Sequence, residues 1–235
     1  MPTIVVLGGG GFSDTSTPEL DDLALSLANV ACPRVCFLPT ASGDATSYIE
    51  RFYDAFRPPR AEPSHLGLFS IDPEVDPTRR LLSQHVVYVG GGNTANMLAI
   101  WRLHGIDVAL RRAWESGVVL CGISAGLLCW FECGVTDSFG RLDGFDDGLG
   151  FLVGSACPHY DGEPQRRPSY HRLIERGFPA GYAVDDGAAL VFRGMNLAEC
   201  VSARVGATGY RVSLEGPRVR EDALNARHLN STLEE

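Results

Sequence analysis

One serine in this chain sits where its hydroxyl can be made to attack. Ser124 is the centre of Gly122-Ile123-Ser124-Ala125-Gly126, entered from the apolar residues 118–121 and left through residues that suit a helix. A strand, a tight turn and a helix meeting at one serine form a nucleophile elbow. That turn holds the hydroxyl clear of the sheet and aims backbone N–H groups at a reacting carbonyl. The small residues two before and two after the serine keep neighbouring backbone from clashing.

A serine hydroxyl is a poor nucleophile near neutral pH and needs a base within hydrogen-bond reach. Of the six histidines, His159 is the best placed, since it closes the strand-like residues 150–159 and follows Pro158, which stiffens its approach. His171, beside Arg172 on an expected helix face, is the alternative. A third group should hold the imidazole in the right tautomer. Asp137, in the loop 134–138, leads for that role, and Glu132 competes with it. Asp143, Asp146 and Asp147 are further candidates, so the sequence leaves the acid open. For the oxyanion, the N–H of Ala125 is one natural donor, and Gly91 or Gly92 supplies the second. Arg166 is of a type that forks onto a substrate carboxylate, and equally of a type that sits solvated in a loop.

Elements must deliver these groups to one place. Residues 3–7, 35–40, 86–89 and 118–123 read as buried strands, alternating with helical segments at 18–30, 44–56, 94–103 and 108–114. Thr17 is the expected N-cap of the first helix, with Pro18 at its first position. Residues 65–69 suggest a short strand. Asp72-Pro73 and Asp76-Pro77 mark an irregular stretch before a short helix near Leu81. Such alternation argues for an α/β fold, a three-layer sandwich around a mainly parallel sheet. Residues 134–148, glycine-rich and acidic, are expected to be loop. Residues 151–156, 182–184, 188–192 and 210–214 suggest short antiparallel edge strands. One α/β domain spanning 1–235 is expected, with a polar tail at 216–235 that is loosely helical or disordered from Glu221. Ligands in such sheets collect beyond the carboxyl ends of the strands, where the loops at 8–11, 90–94 and Ser124 fall.

Composition narrows the partners. The net charge is −9, from 29 acidic and 20 basic residues, which opposes phosphate-backbone binding and argues against nucleic acid. No stretch approaches a membrane span, and the N-terminus lacks a secretory pattern, so a cytoplasmic protein is expected. Seven cysteines, mostly in apolar runs, suit buried thiols in a reducing compartment. No Cys/His spacing suggests a metal, and no cofactor is expected. Short peptides are the expected partners, with self-association as a homo-oligomer left open.

Tyr88-Val89-Gly90-Gly91-Gly92-Asn93-Thr94, then Gly122-Ile123-Ser124-Ala125-Gly126, then Pro158-His159 closely resemble the peptidase E (dipeptidase E) family, from the first strand to about Val212. That resemblance implies a glutamine-amidotransferase-like fold and a serine exopeptidase without metal or cofactor. It implies Ser124 as nucleophile, His159 as base and Asp137 as acid; Asn93 and Thr94, inside the matched motif, are expected near the substrate, as is Arg166 by its chemistry. A preference for dipeptides with N-terminal aspartate follows from the same likeness, although residues 160–168 depart from the family pattern. Two other readings compete. An α/β-hydrolase esterase would have to use His228 as its base. A nucleotide- or metabolite-binding module would use the loop 8–11, whose Gly8-x-Gly10-x-x-Ser13 lacks the final glycine of a dinucleotide fingerprint.

Overall fold

The strongest apolar runs become the centre of an eight-stranded sheet. The computed structural model describes residues 1–70 and 74–229. Strands β1 (Thr3–Leu7), β2 (Arg34–Leu38), β3 (Glu62–His65), β4 (Val86–Val89) and β5 (Val119–Ile123) lie parallel in the order β1-β5-β4-β2-β3. Successive side chains of a strand point to opposite faces. Accordingly Ile4 and Val6 enter one core, and Val5 and Leu7 enter another. On the second face lie α1 (Pro18–Ser26) and α2 (Thr46–Ala55), contributing Leu20, Leu25 and Phe52. On the first lie α3 (Pro77–Leu82), α4 (Thr94–His104) and α5 (Ile106–Glu115), contributing Leu81, Met97, Trp101 and Leu110. Each fully buried side chain of this kind contributes roughly 1.5–3 kcal/mol.

After β5 the chain makes one helical turn, α6 (Ala125–Leu128), and starts a second sheet. Strands β6 (Phe131–Thr136), β7 (Asp143–Phe145), β8 (Leu152–Cys157) and β9 (Gly181–Val184) belong to it, as do β12 (Gly209–Glu215) and β13 (Arg218–Ala223). Its order is β13-β12-β9-β8-β6-β7, with β6, β8 and β9 parallel. Phe131 and Leu152 join the first core. Helix α7 (Arg166–Glu175) covers the outer face, where Tyr170 and Ile174 meet Val135 and Val212. The remaining strands, β10 (Ala188–Arg193), β11 (Asn196–Ser202) and β14 (Ala226–His228), extend the first sheet beyond β1. Both β1–β10 and β10–β11 pairings are antiparallel, so residues 188–192 are antiparallel as expected. Residues 151–156 and 182–184 are not: as β8 and β9 they run parallel to each other inside the second sheet, because the long connection through α7 carries the chain back to the same end. Residues 210–214 pair antiparallel to β9 in that sheet.

Several local expectations change. Residues 134–148 are not simply loop, because they complete β6 and form β7; pairing with β8 and with each other organises a stretch without hydrophobic period. The strand expected at 65–69 ends at His65, and Pro63 is tolerated because β3 is a sheet edge. Thr17 does not cap α1 with its hydroxyl, which accepts instead from the Gly11 N–H at 2.8 Å. The polar tail forms β13 and β14 through cross-strand pairing. Asp72, Pro73 and the tail's last residues, 230–235, lie outside the described residues.

Candidate active site

Ser124 follows β5 directly and holds φ +57°, ψ −108°, a backbone conformation that non-glycine residues adopt only when their surroundings compel it. The flanking glycines are part of that compulsion. A Cβ on Gly122 would lie 2.1 Å from the Gly126 carbonyl oxygen, and one on Gly126 would lie 2.4 Å from that of Val89. The G-x-S-x-G spacing is therefore a steric requirement of this turn.

His159 arrives from the loop after β8. Its Nε2 is 2.9 Å from Ser124 Oγ, and its Nδ1 is 2.7 Å from Oδ1 of Asp186, which follows β9. The end of β1 anchors two of the three residues. The Ser124 N–H donates to the Leu7 carbonyl at 3.3 Å, and the His159 N–H to that of Gly8 at 3.2 Å. The Asp186 carboxylate fits between two glycines: a Cβ on Gly9 or on Gly162 would fall 1.9 Å from one of its oxygens. Its backbone is gripped on both sides. Asp161 Oδ1 accepts the Asp186 N–H at 2.9 Å, Arg204 Nε donates to the Asp186 carbonyl at 2.9 Å, and Arg204 also pairs with Asp161.

Electrostatics separates two adjacent aspartates. The hydrogen bond from His159 holds the Asp186 carboxyl below the usual carboxylate range. Burial pushes that of Asp185 upward, and its Oδ2 accepts from the Thr208 N–H and the Tyr210 hydroxyl. An ionised Asp186 only accepts, so His159 Nδ1 carries the proton and Nε2 presents a lone pair to the Ser124 hydroxyl.

The expected acids stand elsewhere. Glu132 accepts the Gly154 N–H at 2.7 Å across the β6–β8 pair. Asp137 lines a depression beside Ser124, but the carboxylate bonded to His159 is that of Asp186. The reason is topological: β8 and β9 are parallel neighbours, so the loops leaving their ends meet. The signal available in sequence is the acidic turn Asp185-Asp186-Gly187 closing the strand-like residues 182–184, which lies beyond His159 rather than between Ser124 and His159.

Of the expected oxyanion donors, Gly91 spends its N–H on the Tyr48 hydroxyl at 3.2 Å. The N–H groups of Gly92 and Ala125 donate to no protein acceptor among the described residues. Gly92, at φ +137°, has no room for a Cβ, which would lie 2.2 Å from the Ala41 carbonyl oxygen. Asn93 is occupied with structure: Oδ1 accepts from the Asn96 N–H at the start of α4, and Nδ2 donates to the Ser138 carbonyl. Thr94, 1% exposed, is buried in α4 and lines neither depression beside Ser124. Arg166 is not a solvated loop charge. It opens α7, is 4% exposed, and is tied to Glu163 at 2.7 Å and to the Val135 carbonyl at 2.8 Å.

Ser124 is flanked by two depressions. One, of about 360 Å³, contains His159 together with Ser13, Asp14, Tyr48 and Arg51. The other, of about 340 Å³, contains Asn93, Asp137, Ser138, Glu163 and Arg166. The remaining candidate bases are remote. His171 bonds Glu221 and the Tyr160 hydroxyl, and His228 lies on β14, separated from β5 by β11, β10 and β1. The loop 8–11, the nucleotide site of the binding-module reading, lines the His159 depression with Gly9 and Gly10. Its glycines pack against Asp185, Asp186, Thr17 and Asp21. No helix among the described residues is long and apolar enough to cross a membrane.

Known proteins share this arrangement of chain. The structure is similar to that of the "Putative Peptidase E Protein" from Listeria monocytogenes EGD-e, with TM-score 0.65 and 20% identity, covering 87% of this chain and 100% of that one. It is also similar to a peptidase from an acI-B1 Actinobacterium, with TM-score 0.69 and 18% identity, covering 96% and 95%. In sequence, the chain is 50% identical over 231 residues to "Uncharacterized peptidase YgaJ" of Bacillus subtilis (strain 168), covering 97% of this chain and 100% of that relative. The family model of peptidase family S51 matches residues 4–200, and with that match the chain belongs to peptidase family S51, the peptidase E family of serine-type peptidases.

Proposed function

We propose that this serine-type peptidase is an exopeptidase hydrolysing dipeptides or short peptides, with Ser124, His159 and Asp186 as its catalytic triad. The observation that carries this reading is the unbroken chain of contacts, Ser124 Oγ to His159 Nε2 at 2.9 Å and His159 Nδ1 to Asp186 Oδ1 at 2.7 Å. His159 takes the hydroxyl proton as Ser124 attacks the scissile carbonyl, and Asp186 stabilises the imidazolium that forms. The N–H groups of Gly92 and Ala125 face no protein acceptor and are the donors for the developing oxyanion. His159 then gives its proton to the departing amine, leaving an acyl-enzyme on Ser124. Water, deprotonated by His159, releases the acid. The limited volumes of the two depressions beside Ser124, about 360 and 340 Å³, favour a small peptide over an extended chain.

A fluorophosphonate probe tests this without knowledge of the substrate. The expected result is one covalent adduct per chain, located on Ser124 by peptide mass spectrometry and absent in Ser124→Ala. An adduct elsewhere, or equal labelling of Ser124→Ala, contradicts the reading.

A further inference from the structure

Only one of the two depressions beside Ser124 contains His159. Because the imidazolium protonates the departing amine, the leaving half of the substrate lies on the His159 side and the acyl half lies on the other. The free charges differ between them. On the leaving side Arg51 projects from α2. One of its guanidinium nitrogens donates to the Ser13 carbonyl at 2.6 Å, and the group sits 5.2 Å from the centre of the Tyr48 ring. No carboxylate among the described residues pairs with it. Asp14, in the same depression, spends Oδ1 on the Ser16 N–H and hydroxyl.

The acyl side has no unpaired cation among the described residues. Arg166 is buried and committed to Glu163 and the Val135 carbonyl, so its charge is already answered within the protein. Asp137 is exposed, and its carboxylate has no partner among the described residues. A substrate carboxylate placed there would meet Asp137 and Glu163 with no cation free to receive it, whereas an ammonium would find one waiting carboxylate.

We propose that Asp137 receives the free α-ammonium of the first residue and Arg51 the free α-carboxylate of the second. The preferred substrate is then an unblocked dipeptide whose first residue is neutral or basic, not the N-terminal aspartate that family resemblance implies. This assignment rests on the serine exopeptidase reading above. Each charge-assisted contact is worth about tenfold to a hundredfold in kcat/KM.

The test compares leucyl-alanine, its C-terminal amide, its N-acetyl derivative and aspartyl-alanine. The native enzyme is expected to favour leucyl-alanine over each of the other three by at least about tenfold in kcat/KM. In Arg51→Gln the dipeptide-to-amide ratio falls toward unity, and Arg51→Lys restores part of it. In Asp137→Asn the ratios against the N-acetyl and aspartyl compounds fall toward unity, and Asp137→Glu restores part of them. Unchanged ratios in the variants, or a native preference for aspartyl-alanine, overturn the assignment. If none of the four compounds is cleaved by an enzyme whose Ser124 reacts with the fluorophosphonate, the assignment fails while the serine chemistry stands. If Ser124 does not react either, both fail.

Discussion

At the scale of single residues, two buried or half-buried aspartates show how differently one fold can treat the same side chain. Asp186 is held ionised by the hydrogen bond from His159, which suits a group that must stabilise an imidazolium. Asp21 lies beneath the loop 8–11, and burial raises its pKa from 3.8 to about 7 even though it accepts from the Tyr88 hydroxyl at 2.9 Å. The sign of its pH effect follows. Between pH 3.8 and about 7 the native state keeps a proton that the unfolded chain releases, so Asp21 costs stability as pH rises through that window and no more above it. The full penalty is on the order of 4 kcal/mol. Asp21→Asn, which keeps an acceptor for Tyr88, should therefore gain on the native protein as urea denaturation is moved from pH 4.5 to pH 8. A difference between the two proteins that stays constant with pH would exclude this account.

At the scale of elements, the residues of the proposed triad are carried by loops at strand ends, and each loop is held by its neighbours. Ser124 was legible in sequence because an elbow imposes glycines at fixed spacing, and the steric contacts at Gly122 and Gly126 show why. His159 was legible because Pro158-His159 closes a strand. Asp186 was not, since nothing local tells which two strands will be neighbours; the pairing of β8 with β9 decides it. Arg204 was equally invisible, yet its fork onto the Asp186 carbonyl and Asp161 fixes the loop that carries the acid. Arg204→Gln is expected to lower kcat by about tenfold with KM little changed, because it loosens a group that acts in the transition state. Arg204→Lys should recover only part of the rate, as an ammonium cannot fork. A rise in KM with kcat intact would assign Arg204 to substrate binding instead.

At the scale of the whole molecule, the parallel sheet and its covering helices could be read from the alternation of apolar strands with amphipathic helices, and of the extension beyond β1 only β10 could. The second sheet could not. Its strands β8, β9 and β12 were legible singly but not as a separate sheet, and β6 and β7, interrupted by glycine and acidic residues, become strands only through their pairing with β8 and with each other. That second sheet is nonetheless what makes the site, because the first supplies Ser124 from β5 while the second supplies His159 and Asp186 from β8 and β9. With the proposed triad, catalysis depends on the docking of the two sheets across a shared core that includes Phe131, Leu152 and Phe192. The most direct test of this account is the second-order rate of fluorophosphonate labelling in Asp186→Asn and in Glu132→Gln. A fall of about 10³–10⁴-fold is expected for Asp186→Asn, with native-like folding by circular dichroism, and a rate close to native for Glu132→Gln. Native-rate labelling of Asp186→Asn, or a comparable collapse in Glu132→Gln, would contradict it.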